Sequence, residues 1–187
     1  MAQAKILVEG YTNTGDPKVE EKSCATISLV KDGNLNIVVD PGVMKNQSQL
    51  IDALAKENLT VDDIDIVCIT HSHIDHYRNA GMFPDKTKIV EFWGLWERDI
   101  VKDWDEQLTK NIKIIKTPGH SYDGITLLVK TEKGIVAVCG DVFWKENFPE
   151  NDSYATEPEK LEESRKKVLE MADWVIPGHG GIFKAQK

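Results

Sequence analysis

Three of the five histidines in this 187-residue chain lie within six residues, in the segment THSHIDH at residues 70–76. One residue separates His71 from His73, so both imidazoles can converge on a single cation from an extended or loop backbone, and Asp75 and His76 follow at once. A catalytic zinc ion usually has three protein ligands, so neither pair completes a site alone. The segment therefore predicts one half of a metal site whose other ligands come from elsewhere.

The missing ligands are available later in the chain. His120 lies in TPGHS, His179 lies in PGHGG, and Asp141 follows the apolar run IVAVCG, where its carboxylate could bridge two cations. All five histidines are then used. Imidazole and carboxylate ligands suit zinc, with iron or manganese as alternatives. Five unrelated structural histidines would be the simpler interpretation, and the compact cluster argues against it.

The candidate ligands follow the ends of predicted strands, as does Asp40. Strand-length apolar or alternating runs predict strands over residues 5–9, 25–31, 35–40, 65–70, 111–116, 125–130, 135–140 and 173–177. Helical spacing predicts a helix over residues 48–59 capped by Ser48, and TEPE at residues 156–159 predicts a capping box that starts a second helix. Loops held by a rigid sheet are common places for ligand sites.

Composition narrows the class of protein. The apolar and charged fractions, 41% and 29%, are those of a globular chain, and we expect residues 1–187 to form one domain. The net charge of −8 argues against a broad nucleic-acid-binding face. Cys24, Cys68 and Cys139 each lie in apolar runs and predict reduced core cysteines. With no apolar segment of signal-peptide or membrane-spanning length, we expect a cytoplasmic protein without membrane contact.

The order of the motifs THSHIDH, TPGH, GD after a strand, and PGH, preceded by DPG, resembles the metallo-β-lactamase superfamily over essentially the whole chain. The resemblance implies an α/β (α+β) fold, a four-layer αββα sandwich with a metal site along one edge of its sheets. By motif position it implies a first metal on His71, His73 and His120, a second on Asp75, His76 and His179, and Asp141 between them. Asp40 would support the site from behind, or would only form a turn before proline.

Two zinc ions sharing a water would generate a hydroxide at neutral pH, and Asp75 would orient this nucleophile and help carry a proton to the leaving group. The carboxyl-terminal segment further resembles one compact member of the superfamily, which implies a ribonuclease acting on single-stranded RNA, and this hypothesis ranks first. The alternative is a small-molecule ester, thioester or lactone hydrolase with promiscuous β-lactamase activity. A mononuclear-iron sulfur dioxygenase and a metal-binding protein without catalysis rank behind both.

The segment at residues 92–104 is rich in tryptophan and has no assigned strand. Its aromatic side chains could cover the core beneath a loop, wall a substrate cleft, stack on bases or bury a homodimer contact. We take Trp93, Trp96 and Trp144 as candidate substrate-binding residues.

Overall fold

The computed structural model describes residues 1–14 and 18–186. The strands in chain order are β1 (Gln3–Val8), β2 (Tyr11–Thr12), β3 (Ser23–Cys24), β4 (Ile27–Asp32), β5 (Leu35–Val39), β6 (Ile66–Cys68), β7 (Lys88–Glu91), β8 (Gly94–Glu97), β9 (Ile100–Lys102), β10 (Gln107–Thr109), β11 (Ile112–Lys116), β12 (Ile125–Thr131), β13 (Gly134–Val138), β14 (Trp174–Ile176) and β15 (Phe183–Lys184). The α-helices are α1 (Ser48–Ala55), α2 (Ile74–Tyr77) and α3 (Pro158–Met171).

The strands form two main sheets. The first has the order β1-β4-β5-β6-β7-β8-β9, and the second has the order β10-β11-β12-β13-β14-β15. Strands β5, β6 and β7 are parallel in the first sheet, and β13 and β14 are parallel in the second. The remaining neighbours are antiparallel, as are β2 and β3, which pair apart from both sheets. Parallel neighbours bring their carboxyl ends to the same edge, where ligand sites are commonly built.

Three apolar clusters define four layers. The central cluster lies between the sheets and joins residues such as Val39 and Cys68 of the first sheet to Ile125 and Leu127 of the second. A second cluster joins α3 to the outer face of the second sheet, and a third joins α1 to the outer face of the first. The predicted αββα sandwich is thus confirmed.

Most predicted strands form within a residue or two of their predicted bounds. The β4–β5 hairpin has Asp32 opposite Leu35, so the two-residue turn lies where the sequence DGN predicted it. Strand β12 is apolar on both faces because Leu127 faces the central cluster and Leu128 faces the α3 side. Such two-sided burial explains its continuous apolar run.

Both predicted helix caps are wrong. Ser48 is the first residue of α1 rather than its cap, and its backbone N–H donates to Asn46 Oδ1 at 3.0 Å. The predicted capping box at residues 156–159 does not form. The cap position of α3 is occupied by Glu157 rather than Thr156, and the Glu157 side chain makes no cap hydrogen bond. The hydroxyl of Thr156 instead donates to the carbonyl of Gly119 at 3.3 Å, which ties the start of α3 to the His120 loop.

The tryptophan-rich segment was expected to be irregular, but it forms the edge of the first sheet. Glu91 pairs with Gly94 and Glu97 with Ile100, so two successive two-residue turns fold the segment into β7, β8 and β9. Strand β9 is exposed along its length and shows no alternation of apolar and polar residues. Sheet pairing therefore determines its structure more than its own pattern does.

The three cysteines are buried and free of disulfides. Burial raises the pKa of the Cys68 and Cys139 thiols well above the ordinary range. Within the described part of the chain, no helix combines the length and apolar character needed to cross a membrane.

Candidate metal centre

The candidate ligands lie together at the carboxyl edge of the parallel strands. Asp40 follows β5, His71 comes three residues after β6, and Asp141 lies in a 3₁₀ turn after β13. His179 comes three residues after β14, and His120 follows β11. The structure thereby brings together all the histidines and aspartates that the sequence predicted.

The first group contains His71, His73, His120 and Asp141, whose ligand atoms all lie within 4.8 Å of one another. His73 Nδ1 is 3.0 Å from His71 Nε2 and 3.0 Å from His120 Nε2. His73 therefore faces the group through Nδ1, while the other two imidazoles face it through Nε2. Three ring nitrogens around one point form one side of a metal site.

The second group contains Asp75, His76 and His179, within the same 4.8 Å limit. His179 Nε2 lies 3.7 Å from Asp75 Oδ2. The short helix α2 places Asp75 and His76 directly after His73, so that one turn of backbone supplies ligands to both groups.

Asp141 lies between the groups. Its Oδ2 atom is 3.3 Å from His120 Nε2, while its Oδ1 atom is 3.3 Å from His76 Nε2 and 3.2 Å from His179 Nε2. Asp141 Oδ2 is also 3.2 Å from His179 Nε2, so the carboxylate as a whole contacts ligands of both groups. Gly178 allows this position, because a Cβ atom there would lie 1.8 Å from Asp141 Oδ1. This explains why glycine precedes His179.

The outer nitrogens of the imidazoles are held by acceptors, and these contacts assign the ligand tautomers. His76 Nδ1 lies 2.8 Å from Asp40 Oδ2, and His179 Nδ1 lies 3.1 Å from the carbonyl of Cys24. The Thr70 hydroxyl donates to Asp40 at 2.7 Å and can therefore accept from His71 Nδ1 at 3.1 Å. When a metal ion is bound and these three histidines are neutral, a proton on each outer nitrogen would leave the lone pair of Nε2 free to face the centre.

The donor set fits metal ions. His76 Nε2 and Asp141 Oδ1 are buried and lie 3.3 Å apart, but neither makes a hydrogen bond of good geometry among the described residues. Unpaired buried polar atoms are costly, and several lone pairs that converge on the same space repel one another. Divalent cations would satisfy these atoms together, with nitrogen and oxygen ligands typical of zinc.

The charges of the centre divide its histidines. Burial, reinforced by the charge of His76, holds the pKa of His71 well below its usual range, and burial beside His120 lowers the pKa of His73. Burial also opposes protonation of His76, but the carboxylates of Asp141 and Asp40 outweigh it and raise that pKa. His71 and His73 are therefore neutral at pH 7, as metal ligands must be.

Asp141 stays ionised although it is buried. Burial favours its protonated form, but the positive charges of His179 and His76 outweigh this effect and hold its pKa well below the usual range. The same partnership raises the pKa of His179 against the effect of burial. The centre thus keeps a carboxylate in position for cations.

Asp40 supports the site and does more than form a turn. Its carboxylate accepts hydrogen bonds from the Thr70 N–H and hydroxyl at 2.8 and 2.7 Å and from His76 Nδ1. Its backbone has φ of 50°, a left-handed conformation that costs a residue with a side chain about 1 kcal/mol. The surrounding hydrogen bonds hold this conformation in place.

Asp152 belongs to the centre although no sequence motif marks it. Its side chain is fully buried, and its Oδ2 atom lies 2.6 Å from His120 Nδ1. Its other oxygen accepts the backbone N–H of Tyr154 at 2.9 Å. Asp152 thus orients His120 as Asp40 orients His76. It lies 32 residues from His120 in a loop without a motif, so nothing in the sequence pointed to the pairing.

Asp152→Ala should weaken metal binding roughly 10–100-fold, because carboxylates behind ligating histidines fix the ring and raise its basicity. Asp152→Asn, which keeps an acceptor for the Nδ1–H, should lose less. Competition with a chromophoric chelator measures the affinity, and exposed Glu150→Gln is the control. Unchanged affinity in Asp152→Ala would show that His120 needs no such support.

A cavity of about 110 Å³ opens above the centre. Its lining residues are Thr12, Thr14, Glu21, Ser23, His73, Asp75, His120, Asp141, Trp144, Tyr154 and His179. Trp144 thus lies where a substrate-binding residue was expected, and its indole N–H lacks a hydrogen-bond partner among the described residues. Trp93 and Trp96 lie outside this cavity.

The other tryptophans have different surroundings. Trp93 is 63% exposed, and its ring packs against that of Phe92. Trp96 donates to Glu91 at 2.7 Å and lines a separate surface depression. Phe92 and Trp104 pack against the central apolar cluster. Part of this segment therefore covers the core, as one of the hypotheses held.

A family model and several related proteins identify the family to which the chain belongs. Residues 25–107 match the model of the metallo-beta-lactamase superfamily. A probable metallo-hydrolase of Methanocaldococcus jannaschii is 32% identical over 81% of this chain and 74% of its own length. Metallo-beta-lactamase domain-containing protein 1 of Xenopus laevis is 29% identical over 97% of this chain and 81% of its own length.

Another relative is longer. An uncharacterised protein of Caenorhabditis elegans is 33% identical over 86% of this chain, and the match spans 48% of that protein. The chain therefore covers about half of the length of this relative.

Solved structures show the same fold. A Thermotoga maritima protein assigned to the metallo-beta-lactamases has a TM-score of 0.77 at 19% identity, over 98% of this chain and 99% of its own. A dizinc quorum-quenching lactonase, solved with its product, has a TM-score of 0.68 at 18% identity, over 88% and 76% of the two chains. The chain, with its paired groups of histidine and aspartate, belongs to the metallo-β-lactamase superfamily.

Proposed function

We propose that this chain hydrolyses a small carboxylic ester, thioester or lactone at a centre of two zinc ions. The first group, which includes Asp141, would hold one ion. The second group, together with Asp141, would hold the other. When bound, the two cations would lower the pKa of a water molecule and draw charge from the scissile carbonyl.

The choice of a small acyl substrate rests on the charge of the side chains that line the cavity. Among the described residues that line it, none is lysine or arginine, and Glu21 adds a carboxylate to its wall. Proteins bind the phosphates of RNA largely through lysine and arginine. These features favour a small acyl substrate over single-stranded RNA, which the sequence alone had ranked first.

Residues of this chain would carry the proton. Asp75 lines the cavity with its side chain 18% exposed, and its Oδ2 atom accepts the Ser23 hydroxyl at 2.6 Å. This hydrogen bond fixes the carboxylate next to the position of the substrate. Asp75 would take a proton from the nucleophile and pass it to the leaving alkoxide or thiolate.

Related proteins that are named as lactonases, one of them a dizinc protein, support the proposal of a small acyl substrate and of zinc. An N-acyl homoserine lactonase of Bacillus thuringiensis is 24% identical over 68% of this chain. The lactonase described above holds two zinc ions, whereas another protein of the same fold was solved in a di-iron form. The buried site of imidazole and carboxylate ligands suits zinc as the first choice.

The test compares substrates on one preparation loaded with zinc. We expect measurable kcat/KM for γ-butyrolactone or a short thioester and no cleavage of a single-stranded RNA. His76→Ala, which removes a ligand of the second group, should abolish the turnover and thereby exclude a contaminating hydrolase. RNA cleavage that disappears in His76→Ala, without lactone or thioester turnover, would instead establish the nuclease hypothesis.

A further inference from the structure

One wall of the cavity is built from residues that the metal centre does not use. Thr12, Thr14, Glu21 and Tyr154 line the same cavity as the ligands His73, His120 and Asp141. The two threonines and Glu21 come from the segment that carries β2 and β3, and Tyr154 comes from the loop that also holds Asp152. Two separate segments thus meet at this wall.

The hydroxyl groups of this wall form a hydrogen-bond network that ends on the carboxylate of Glu21. The Thr12 hydroxyl donates to that of Thr14 at 2.7 Å, and Thr14 donates to Glu21 Oε1 at 2.7 Å. The Tyr154 hydroxyl donates to Glu21 Oε2 at 3.4 Å across 133 positions of sequence. Glu21 is exposed, yet donors on both of its oxygens hold it in place at the cavity wall.

The carboxylate of Glu21 retains capacity for a ligand. A carboxylate can accept about four hydrogen bonds, and the contacts above use two of them. Among the described lining residues there is no lysine or arginine that would neutralise it. Bound metal ions would make the cavity positive at the ligand side, opposite the negative charge of Glu21. A substrate that fits both ends carries an acyl group and a cationic hydrogen-bond donor.

We propose that Glu21 is a specificity-determining residue that selects esters or lactones bearing a protonated amine. The inference rests on the proposed hydrolase function and names its substrate class. The ammonium group would donate to Glu21 while the carbonyl lies at the metal centre. A substrate with a carboxylate in the same place would be repelled.

Lactones with one ring and different substituents test the selection. We would measure kcat/KM for α-amino-γ-butyrolactone, with its amine protonated, and for unsubstituted γ-butyrolactone. The wild-type protein should prefer the ammonium lactone roughly tenfold more than the intrinsic reactivity of the two lactones dictates, because a hydrogen bond to a charged group is stronger than a neutral one. In Glu21→Gln, which keeps the shape and loses the charge, the ratio of the two kcat/KM values should fall by about that factor.

Glu20→Gln is the matched control. Glu20 immediately precedes Glu21, its side chain is 86% exposed, and it is not among the residues that line the cavity. The Glu20→Gln substitution removes the same charge from the chain, so a general electrostatic effect would appear in both variants. A preference that is equal in the wild type and Glu21→Gln would overturn the inference, even if both proteins hydrolyse lactones well.

A binding measurement separates this inference from the proposed function. The lactams 3-amino-2-pyrrolidinone and 2-pyrrolidinone resemble the two lactones and resist hydrolysis, so their affinity can be measured by calorimetry on the zinc-loaded protein. If no ester, thioester or lactone is turned over, the proposed function fails, and the lactams then decide the role of Glu21. Tighter binding of the amino lactam that is lost in Glu21→Gln supports the selection, and equal binding of both lactams refutes it.

Discussion

Asp141→Ala is expected to reduce lactone or thioester hydrolysis about 10³-fold or more, because a metal centre contributes several kcal/mol of transition-state stabilisation. Asp141 is the residue whose two oxygens face both groups, at 3.3 Å from His120 Nε2 and 3.2 Å from His179 Nε2. Removing it withdraws one ligand from each half of the site. It also leaves five imidazoles around a space with less negative charge.

The comparison needs a control for folding and for charge. Asp85→Ala removes a carboxylate from an exposed loop and should keep wild-type kcat/KM. Circular dichroism would establish that Asp141→Ala keeps its secondary structure. Retention of more than a tenth of wild-type kcat/KM by a folded Asp141→Ala protein would mean that the two groups do not work as one centre.

Removal of metal is expected to lower the melting temperature by roughly 15–30 °C. A ligand at about 1,000 times its dissociation constant stabilises the native state by about 4 kcal/mol, so two sites give about 8 kcal/mol. For a chain of this size, 1 kcal/mol corresponds to about 2–4 °C. The physical cause is that His76 Nε2 and Asp141 Oδ1, which are buried and make no hydrogen bond of good geometry among the described residues, would each gain a bond to a cation.

Differential scanning calorimetry before and after dialysis against a chelator measures this shift. Zinc added back should restore the melting temperature, and magnesium should not, because the imidazole-rich site suits zinc far better. Asp141→Ala should show a much smaller difference between the two conditions. A wild-type protein whose melting temperature is unaffected by the chelator would contradict the assignment of a metal centre.

The groups at the strand ends could be predicted because their spacing is local. His71, His73, Asp75 and His76 lie in one short segment, and a one-residue gap already restricts where two imidazoles can point. His120, Asp141 and His179 required only the inference that strand ends meet at one edge of a sheet. The geometry then places these residues within hydrogen-bond distance of one another.

Residues that act through long-range contacts could not be predicted in this way. Asp152 and Glu21 lie in loops, and each acquires its role from a partner many positions away. A buried aspartate and a surface glutamate have no sequence pattern that distinguishes them from other acidic residues. Their chemistry became visible only when the loops were placed around the centre.

Tertiary contacts explain why the cap of α3 and the strands β8 and β9 were predicted wrongly. Thr156 was expected to cap α3, but its hydroxyl contacts Gly119 because the loop before α3 packs on the His120 loop. The segment that forms β8 and β9 lacks the alternation typical of strands, and pairing with β7 decides its conformation. In both places tertiary contacts overrode a weak local preference.

The most direct test of the dinuclear centre is a titration of the metal-free protein with cobalt(II), followed by visible absorption and by elemental analysis of the dialysed product. A dinuclear centre should give a break at two equivalents per chain in the wild type and the loss of at least one equivalent in Asp141→Ala. A break at one equivalent in the wild type, unchanged when Asp141 is replaced, would contradict the two-metal centre.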